Sequence, residues 1–369
     1  MARGDRLRRA YRGDLGPTLG PLWRGALGPM NGMFAPRKGR TLAAAGLAAV
    51  AWLSIPLVVQ QPYVLHVLIL TAIFATFAIG WNLVTGFAGL KTFGHHALFA
   101  IAAYASALLA KNFGWSPWIT AWLGAGLGTL VGFLVALPAL RIRSVAHLAI
   151  VTLAFAEIIR ILISNLKELT RGELGLIGIP AFDPLFLPVL GRVTFGGSGR
   201  PAFFYLASVL MLAALASVWA LMRSRAGLAF VALRNSQEAA ESLGINLARY
   251  KFLAFAASGF IVGLSGAVYA HYVRVLTPHS VAGLEVMIMV IAMVLVGGIG
   301  THLGPVVGAL VLVGGAEVLR DVGNYRLLLY GALIVLATRF FPQGIARMAE
   351  HVRWPRPAVL KPQPDPERP

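Results

Sequence analysis

The sequence predicts an all-α fold, a polytopic transmembrane helical bundle of about ten spans, and three observations carry that reading. Apolar residues make up 58% of the 369 and charged residues 12%, with a mean hydropathy of +0.75. One soluble core could not hide so much apolar surface, so the solvent for most of it is lipid. Apolar runs of near-spanning size recur along the chain; roughly 20 residues, rising about 1.5 Å each as a helix, cross a hydrocarbon core of about 30 Å. The Lys and Arg residues between those runs divide twenty-three against eight on alternate sides when the amino terminus is placed inside, the asymmetry expected of cytoplasmic loops.

Taken in order, residues 1–41 come first, with nine basic residues (Arg3, Arg6, Arg8, Arg9, Arg12, Arg24, Arg37, Lys38 and Arg40), many Gly and Pro, and no apolar period. This composition predicts a disordered basic cytoplasmic tail, drawn to anionic membrane lipid by about 1 kcal/mol per cation near the surface. The tail is too long for the basic region of a secretory signal, and the run after it is long enough to span, which argues against export. A transmembrane domain over 42–345 follows, with spans predicted at 42–60, 64–87, 94–110, 117–138, 145–165, 201–222, 251–272, 284–299, 303–319 and 326–341. Residues 64–110 are almost continuously apolar, and only Thr301 and His302 separate the eighth and ninth spans. Either place can hold a broken or re-entrant helix, which membranes tolerate only where protein or a water-filled cavity surrounds the free backbone groups. An outer loop, 166–200, mixes Gly, Pro and charges; an inner loop, 223–250, has a helix-forming composition; residues 346–369 form a cytoplasmic tail.

Small residues at helical spacing mark close contacts. Gly124, Gly128 and Gly132, then Gly259 and Gly263, then Gly300, Gly304 and Gly308 each lie on one helical face, which favours tight helix packing. Gly304-Pro305 can also interrupt a helix. Charges inside spans are costly. Glu157 lies three residues before Arg160, so a same-helix ion pair is the simplest account, with a role along a pathway or in gating as the alternative; Glu317 and Arg320 repeat the spacing. His95 and His96 are adjacent, and side chains about 100° apart on a helix cannot both face one path, so packing is the simpler account for them.

Several chemistries are excluded or unsupported. The chain has no cysteine, so a disulfide, a thiolate metal site and a Cys nucleophile are excluded. It has no His-Glu-x-x-His or Gly-x-Ser-x-Gly motif, and Gly89-Leu90-Lys91-Thr92 lacks the Gly that must directly precede the Lys of a phosphate-binding loop. No metal, cofactor or ATP site is therefore predicted. The net charge of +18 is spread along a hydrophobic chain rather than massed on one face, so it argues for membrane orientation and against a nucleic-acid partner.

The inner loop is the most informative segment. In Arg234-Asn235-Ser236-Gln237-Glu238-Ala239-Ala240-Glu241-Ser242-Leu243-Gly244-Ile245-Asn246, Asn235 or Ser236 can cap a short helix, an acid in its first turn complements the helix dipole, and Gly244 can close it in a left-handed conformation. An ordinary connecting helix would satisfy those features alone. The string Glu238-Ala239-Ala240-Glu241-Ser242-Leu243-Gly244, however, resembles the EAA loop of ABC importer permeases. Ala232-Leu233-Arg234-Asn235 before it and Ile245-Asn246-Leu247-Ala248-Arg249-Tyr250-Lys251 after it are similar to LivM-type permease subunits of branched-chain amino-acid ABC importers. Further blocks occur in that family's order: Gly80-Trp81-Asn82-Leu83-Val84-Thr85-Gly86, Phe93-Gly94-His95-His96-Ala97-Leu98-Phe99, the stretch from Val151 to Arg160, Gly297-Gly298-Ile299-Gly300-Thr301-His302-Leu303-Gly304-Pro305, and Phe341-Pro342-Gln343-Gly344. The resemblance runs from about residue 60 to 348, and Leu90-Lys91-Thr92-Phe93 departs from the family's polar run.

The resemblance implies a transmembrane permease of the cell inner membrane, both termini cytoplasmic, that translocates branched-chain or related amino acids without an ATPase site of its own. It implies two ATP-binding cassette subunits, a second permease subunit of H type, and an extracytoplasmic substrate-binding protein as partners. Glu238, Ala239, Ala240 and Gly244 are assigned to ATPase coupling, and Gly94, His95, His96, Thr152 and Glu157 to a possible translocation path. Family relatives that carry urea or short amides make those an alternative cargo. An ion-coupled secondary transporter is the rival of a different class; it would typically display several intramembrane acids for coupling, for which Glu157 alone is thin support.

Overall fold

The computed structural model describes residues 38–318 except 60, 143, 188–190 and 196–199, together with 331, 335, 339 and 344–346. The expected basic tail up to residue 37, the tenth span and the carboxy-terminal tail beyond 346 lie outside the described residues apart from those isolated positions, as does Arg320, the expected partner of Glu317. The chain divides into a unit ending at Ile55 and one beginning at Pro56. Helix α1, Lys38–Val58, carries the first apolar run.

Pro62 sits in the first turn of α2, Pro62–Asn82, where its missing N–H costs nothing. From Thr71 onward every residue of α2 is buried, the signature of a helix apolar on all sides and enclosed by others. It runs into one π-helical turn, Leu83–Phe87. Helix α3, His95–Phe113, ends at Gly114 in the left-handed conformation, and α4, Pro117–Arg141, again opens on a proline. Helix α5, Val145–Asn165, precedes a short α6, Lys167–Thr170, a 3-10 turn at Gly172–Leu174, and strands β1, Leu176–Ile177, β2, Leu185–Leu187, and β3, Gly191–Val193. Helix α7 spans Arg200–Arg223, α8 Arg225–Asn235, α9 Gln237–Ser242 and α10 Leu247–Val273. Strand β4, Val275–Leu276, leads into α11, Pro278–Ala282, fixed by a capping box between Thr277 and Ser280. Helices α12, Leu284–Gly297, and α13, Gly304–Val318, follow.

Helix α10 packs most extensively on α4 and then on α3 and α2, while α2 also meets α7 and α13. The glycine faces are where α4 and α10 touch. A methyl group added at Gly128 would lie 2.7 Å from the Gly259 carbonyl oxygen, and one at Gly132 2.6 Å from that of Phe255. Backbones can approach so closely only without side chains between them. Opposite this seam α4 exposes Ile119, Trp122, Leu130, Phe133 and Leu137 at steps of three, eight, three and four residues, an apolar face suited to hydrocarbon.

Six helical stretches among the described residues are long and apolar enough to cross a membrane: Pro62–Phe87, Pro117–Arg141, Ala146–Asn165, Arg200–Arg223, Leu247–Val273 and Pro278–Gly297. The expected count of ten is not reached on that criterion. Gly46–Val58 and Gly304–Glu317 are apolar but shorter. Helix α3 coincides with the expected third span, but His95, His96, Lys111 and Asn112 dilute its ends. Both suspected breaks are present: helix stops at Phe87 and resumes at His95, and stops at Gly297 and resumes at Gly304.

The 166–200 loop contains structure that its composition does not announce. Strand β1 pairs antiparallel with β4, and β2 with β3. His271 Nδ1 donates to the Pro180 carbonyl at 2.7 Å, Arg274 Nε to that of Ile179 at 3.0 Å, and Lys111 Nζ to that of Ile177 at 2.6 Å. These bonds, with the contacts of Phe182 on Trp118, Phe195, Phe203 and His271, fix the loop across the ends of α3, α4 and α10.

Candidate functional site: a junction of two broken helices beside a short capped helix

The two breaks meet. Asn82, in the last turn of α2 and 1% exposed, donates through Nδ2 to the Thr301 carbonyl at 2.9 Å and accepts the Gly300 N–H on Oδ1 at 2.9 Å. One side-chain amide thus satisfies both a donor and an acceptor of the Gly298–Thr301 turn, replacing the pairs that a continuous helix would supply. Thr301 Oγ1 donates to the Gly298 carbonyl and accepts from Gly304 N, closing the turn and capping α13. A methyl at Gly86 would lie 2.6 Å from Gly300 N, so the two broken segments touch backbone to backbone. Gly344 packs against the Gly297–Gly298 backbone from the carboxy-terminal side.

The segment between α2 and α3 is held as firmly. Trp81 Nε1 donates to the Thr92 carbonyl at 2.8 Å, Thr85 Oγ1 to that of Leu90 at 3.1 Å, and Leu90 N to that of Val84 at 3.0 Å. Leu90 and Thr92, where the chain departs from the family pattern, are fully enclosed, while Lys91 between them is exposed.

His95 sits in a chain of hydrogen bonds. Ser258 Oγ donates to the Gly80 carbonyl at 2.7 Å, which leaves it as acceptor for His95 Nε2 at 2.9 Å; His95 Nδ1 then accepts from Thr92 Oγ1 at 2.7 Å. The network therefore assigns a neutral imidazole with its proton on Nε2. Both ring nitrogens are committed to hydrogen bonds that join α3, α10 and α2. His96 is equally buried.

Gly94 and Thr152 are brought together. A methyl at Gly94 would lie 2.5 Å from the Thr152 carbonyl oxygen, while Thr152 Oγ1 accepts from Phe93 N at 3.0 Å and donates to the Ala149 carbonyl at 3.0 Å. Glu157 lies farther along α5 and pairs with Arg160 on its own helix, with Arg160 Nε donating at 2.9 Å. The pair is half-exposed, 44% for the Glu157 side chain and 29% for that of Arg160. Only 22% of the most apolar stretch of α5 is buried, the least of the six spans.

The α8–α10 segment forms a compact unit at one end of the bundle. Ser236 caps α9 by accepting from Ala239 N at 3.2 Å, Asn246 caps α10 by accepting from Arg249 N at 3.0 Å, and Gly244 closes α9 at φ +80°. Lys251, 1% exposed, donates through Nζ to the Ala139 carbonyl at 2.8 Å and so ties the start of α10 to the end of α4. Between these elements is a cavity of about 490 Å³ lined by Gln237, Glu241, Ile245 and Lys251 among others.

Ala240 is 1% exposed and packs into the chain while Ala239 faces outward, because positions one residue apart on a helix diverge by about 100°. The exposed residues of α9 are Glu238, Ala239, Glu241 and Ser242, with Leu243 beside them at 80% exposure. Leu243 and Asn82 gain their places only in the fold; the signals for them in the sequence are a leucine beside an acidic helix and an asparagine deep in an apolar run.

The family model for the permease component of the branched-chain amino acid transport system matches residues 63–338. The chain is 33% identical over 357 residues to the high-affinity branched-chain amino acid transport system permease protein LivM of Escherichia coli, covering 93% of this chain and 82% of that protein. It is 34% identical over 316 residues to LivM of Salmonella typhimurium, covering 81% and 73%. It is 27% identical over 285 residues to the permease protein LivH of Escherichia coli, covering 74% and 90%. No solved structure matches the chain.

Proposed function

The chain belongs to the family of permease components of branched-chain amino acid transport systems, and from that membership we propose that it forms half of the translocation pore of an ABC importer for branched-chain amino acids. The other half is a second permease subunit of H type, to which this chain is itself similar. Energy comes from two separate ATP-binding cassette subunits, and an extracytoplasmic binding protein delivers the cargo. The observation that carries the coupling role is α9: six residues, capped at Ser236, stopped at left-handed Gly244, and presenting outward an alanine and a leucine flanked by acids. Nothing lies within 4 Å of a methyl placed at Gly244, so the turn is kept free on its outer side, where an ATPase groove would fit. Closure of the ATPases would displace α9 and with it α8 and α10.

In this arrangement α9 and both termini are cytoplasmic and the 166–200 loop is outside. The chain has no cysteine, so single introduced ones report without background. A membrane-impermeant thiol reagent applied from outside is expected to label Glu173→Cys and to miss Leu243→Cys; outside labelling at 243 contradicts the orientation and the docking together.

We place the path at α5. A half-exposed ion pair on the least buried span is costly against lipid, and it is accommodated where that face meets the partner permease and the water between them. Gly94 and Thr152 hold α5 in place from behind. Exchanging the charges, with Glu157→Arg and Arg160→Glu in one chain, keeps the pair. The double variant is expected to insert normally and to transport at least tenfold more slowly, measured as uptake at saturating ATP; full activity would make the pair purely structural.

A further inference from the structure

We propose that Arg234 is the positioning residue that carries movement of the cytoplasmic coupling helix into the junction of the two broken helices, a role that rests on the docking reading above. Arg234 is the penultimate residue of α8, two residues before the Ser236 cap of α9. A methyl added at Gly89 would lie 2.8 Å from Arg234 Cα and 3.0 Å from its Cβ and Cγ, and one at Gly300 would lie 2.7 Å from Arg234 Nη1 and 3.0 Å from the Gly86 carbonyl oxygen. Two glycines, one from each break, Gly89 and Gly300, thus clear the space that one arginine occupies. Gly89 and Gly300 both have positive φ, +74° and +73°, so these backbones already adopt a conformation that other residues rarely reach.

Helices α8 and α9 are joined only by the capping residue, so a push on α9 reaches Arg234 with little slack. The π turn and the glycine turn are the non-helical parts of the buried bundle that Arg234 touches, and non-helical segments are where a packed bundle can change backbone dihedrals. Asn82 locks the two breaks to each other, so a displacement of either moves both. Arg234 makes no hydrogen bond among the described residues, and its guanidinium meets the Gly300 turn by contact. A strut of that kind transmits compression without fixing one state.

The complex of the chain with its partner permease and ATPases is reconstituted with Leu303→Cys, an exposed position in the glycine turn, carrying a fluorescent label. ATP is expected to shift the label's emission in the parent complex. Arg234→Ala is expected to retain the ATPases on purification and to hydrolyse ATP, while the label ceases to respond and uptake falls at least tenfold. Arg234→Lys is expected to behave like the alanine variant, because lysine has no Nη1 branch to meet Gly300; restoration of the response and of uptake by lysine would show that any interfacial cation suffices and would overturn the proposal, as would an undiminished response in Arg234→Ala. A second arm needs no ATPase: amide hydrogen exchange of Gly86 to Leu90 and Gly298 to Thr301 in the purified chain is expected to speed up at least tenfold in Arg234→Ala. Unchanged exchange overturns the role of Arg234 by itself, whereas a parent chain that retains no ATPase contradicts the docking reading and leaves the exchange result to decide on Arg234.

Discussion

Tryptophan at Ala239 is expected to lower ATP-driven uptake at least a hundredfold and to abolish retention of the ATPases, while the chain stays inserted and folded. Ala239 lies on the outward face of α9 and is exposed, so a large side chain there meets nothing within this chain. If the helix enters a groove on another protein, the same side chain blocks the approach, and lost complementarity at the centre of an interface costs several kcal/mol. Ala240→Trp gives the contrast. That position is 1% exposed, so the ring must displace the chain's own packing, and a lower unfolding midpoint should accompany the loss of transport. Gly244→Val is expected to impair coupling by a third route: its backbone sits at φ +80° in open space, where a β-branched residue is strained although nothing touches it. Size-exclusion retention of the ATPases, read beside thermal unfolding of each variant, separates the three.

The second large effect is expected at Asn82. Alanine there leaves the Gly300 N–H and the Thr301 carbonyl without partners in a buried site, at about 1–3 kcal/mol for each unsatisfied group. Thermal unfolding in detergent should therefore shift sharply downward, with uptake lost because the two breaks no longer move as one. Asn82→Asp keeps an acceptor for Gly300 N but removes the donor to Thr301 and adds a buried charge, so it should fare no better than alanine. An Asn82→Ala chain with parental stability and uptake would mean that the breaks are held by other contacts.

The long spans were legible because apolar length alone specifies them, and the capped helix was legible because Ser236 and Gly244 carry its start and stop in their own chemistry. The breaks were legible only as glycine clusters. Which groups satisfy their freed backbone depends on Asn82 reaching Thr301 across 219 positions, and no local pattern encodes a contact of that range. The same reason hid β1, whose two residues pair with β4 a hundred positions away at Leu176 and Leu276. The burial of Ala240 has another origin. A helix of six residues has too few positions to show a hydrophobic period, so the face it buries is set by tertiary packing and could not be read from the alternation of small and acidic residues.

The importer account is tested most directly by uptake of radiolabelled leucine into vesicles containing the chain and its partner permease, with and without the ATPases, with binding protein and leucine outside and ATP enclosed. The account predicts no accumulation without the ATPases, accumulation when they and ATP are present, and its loss in the Ala239→Trp chain. Accumulation without any ATPase, driven by an imposed ion gradient and indifferent to bulk at 239, would contradict it and make the chain an ion-coupled carrier.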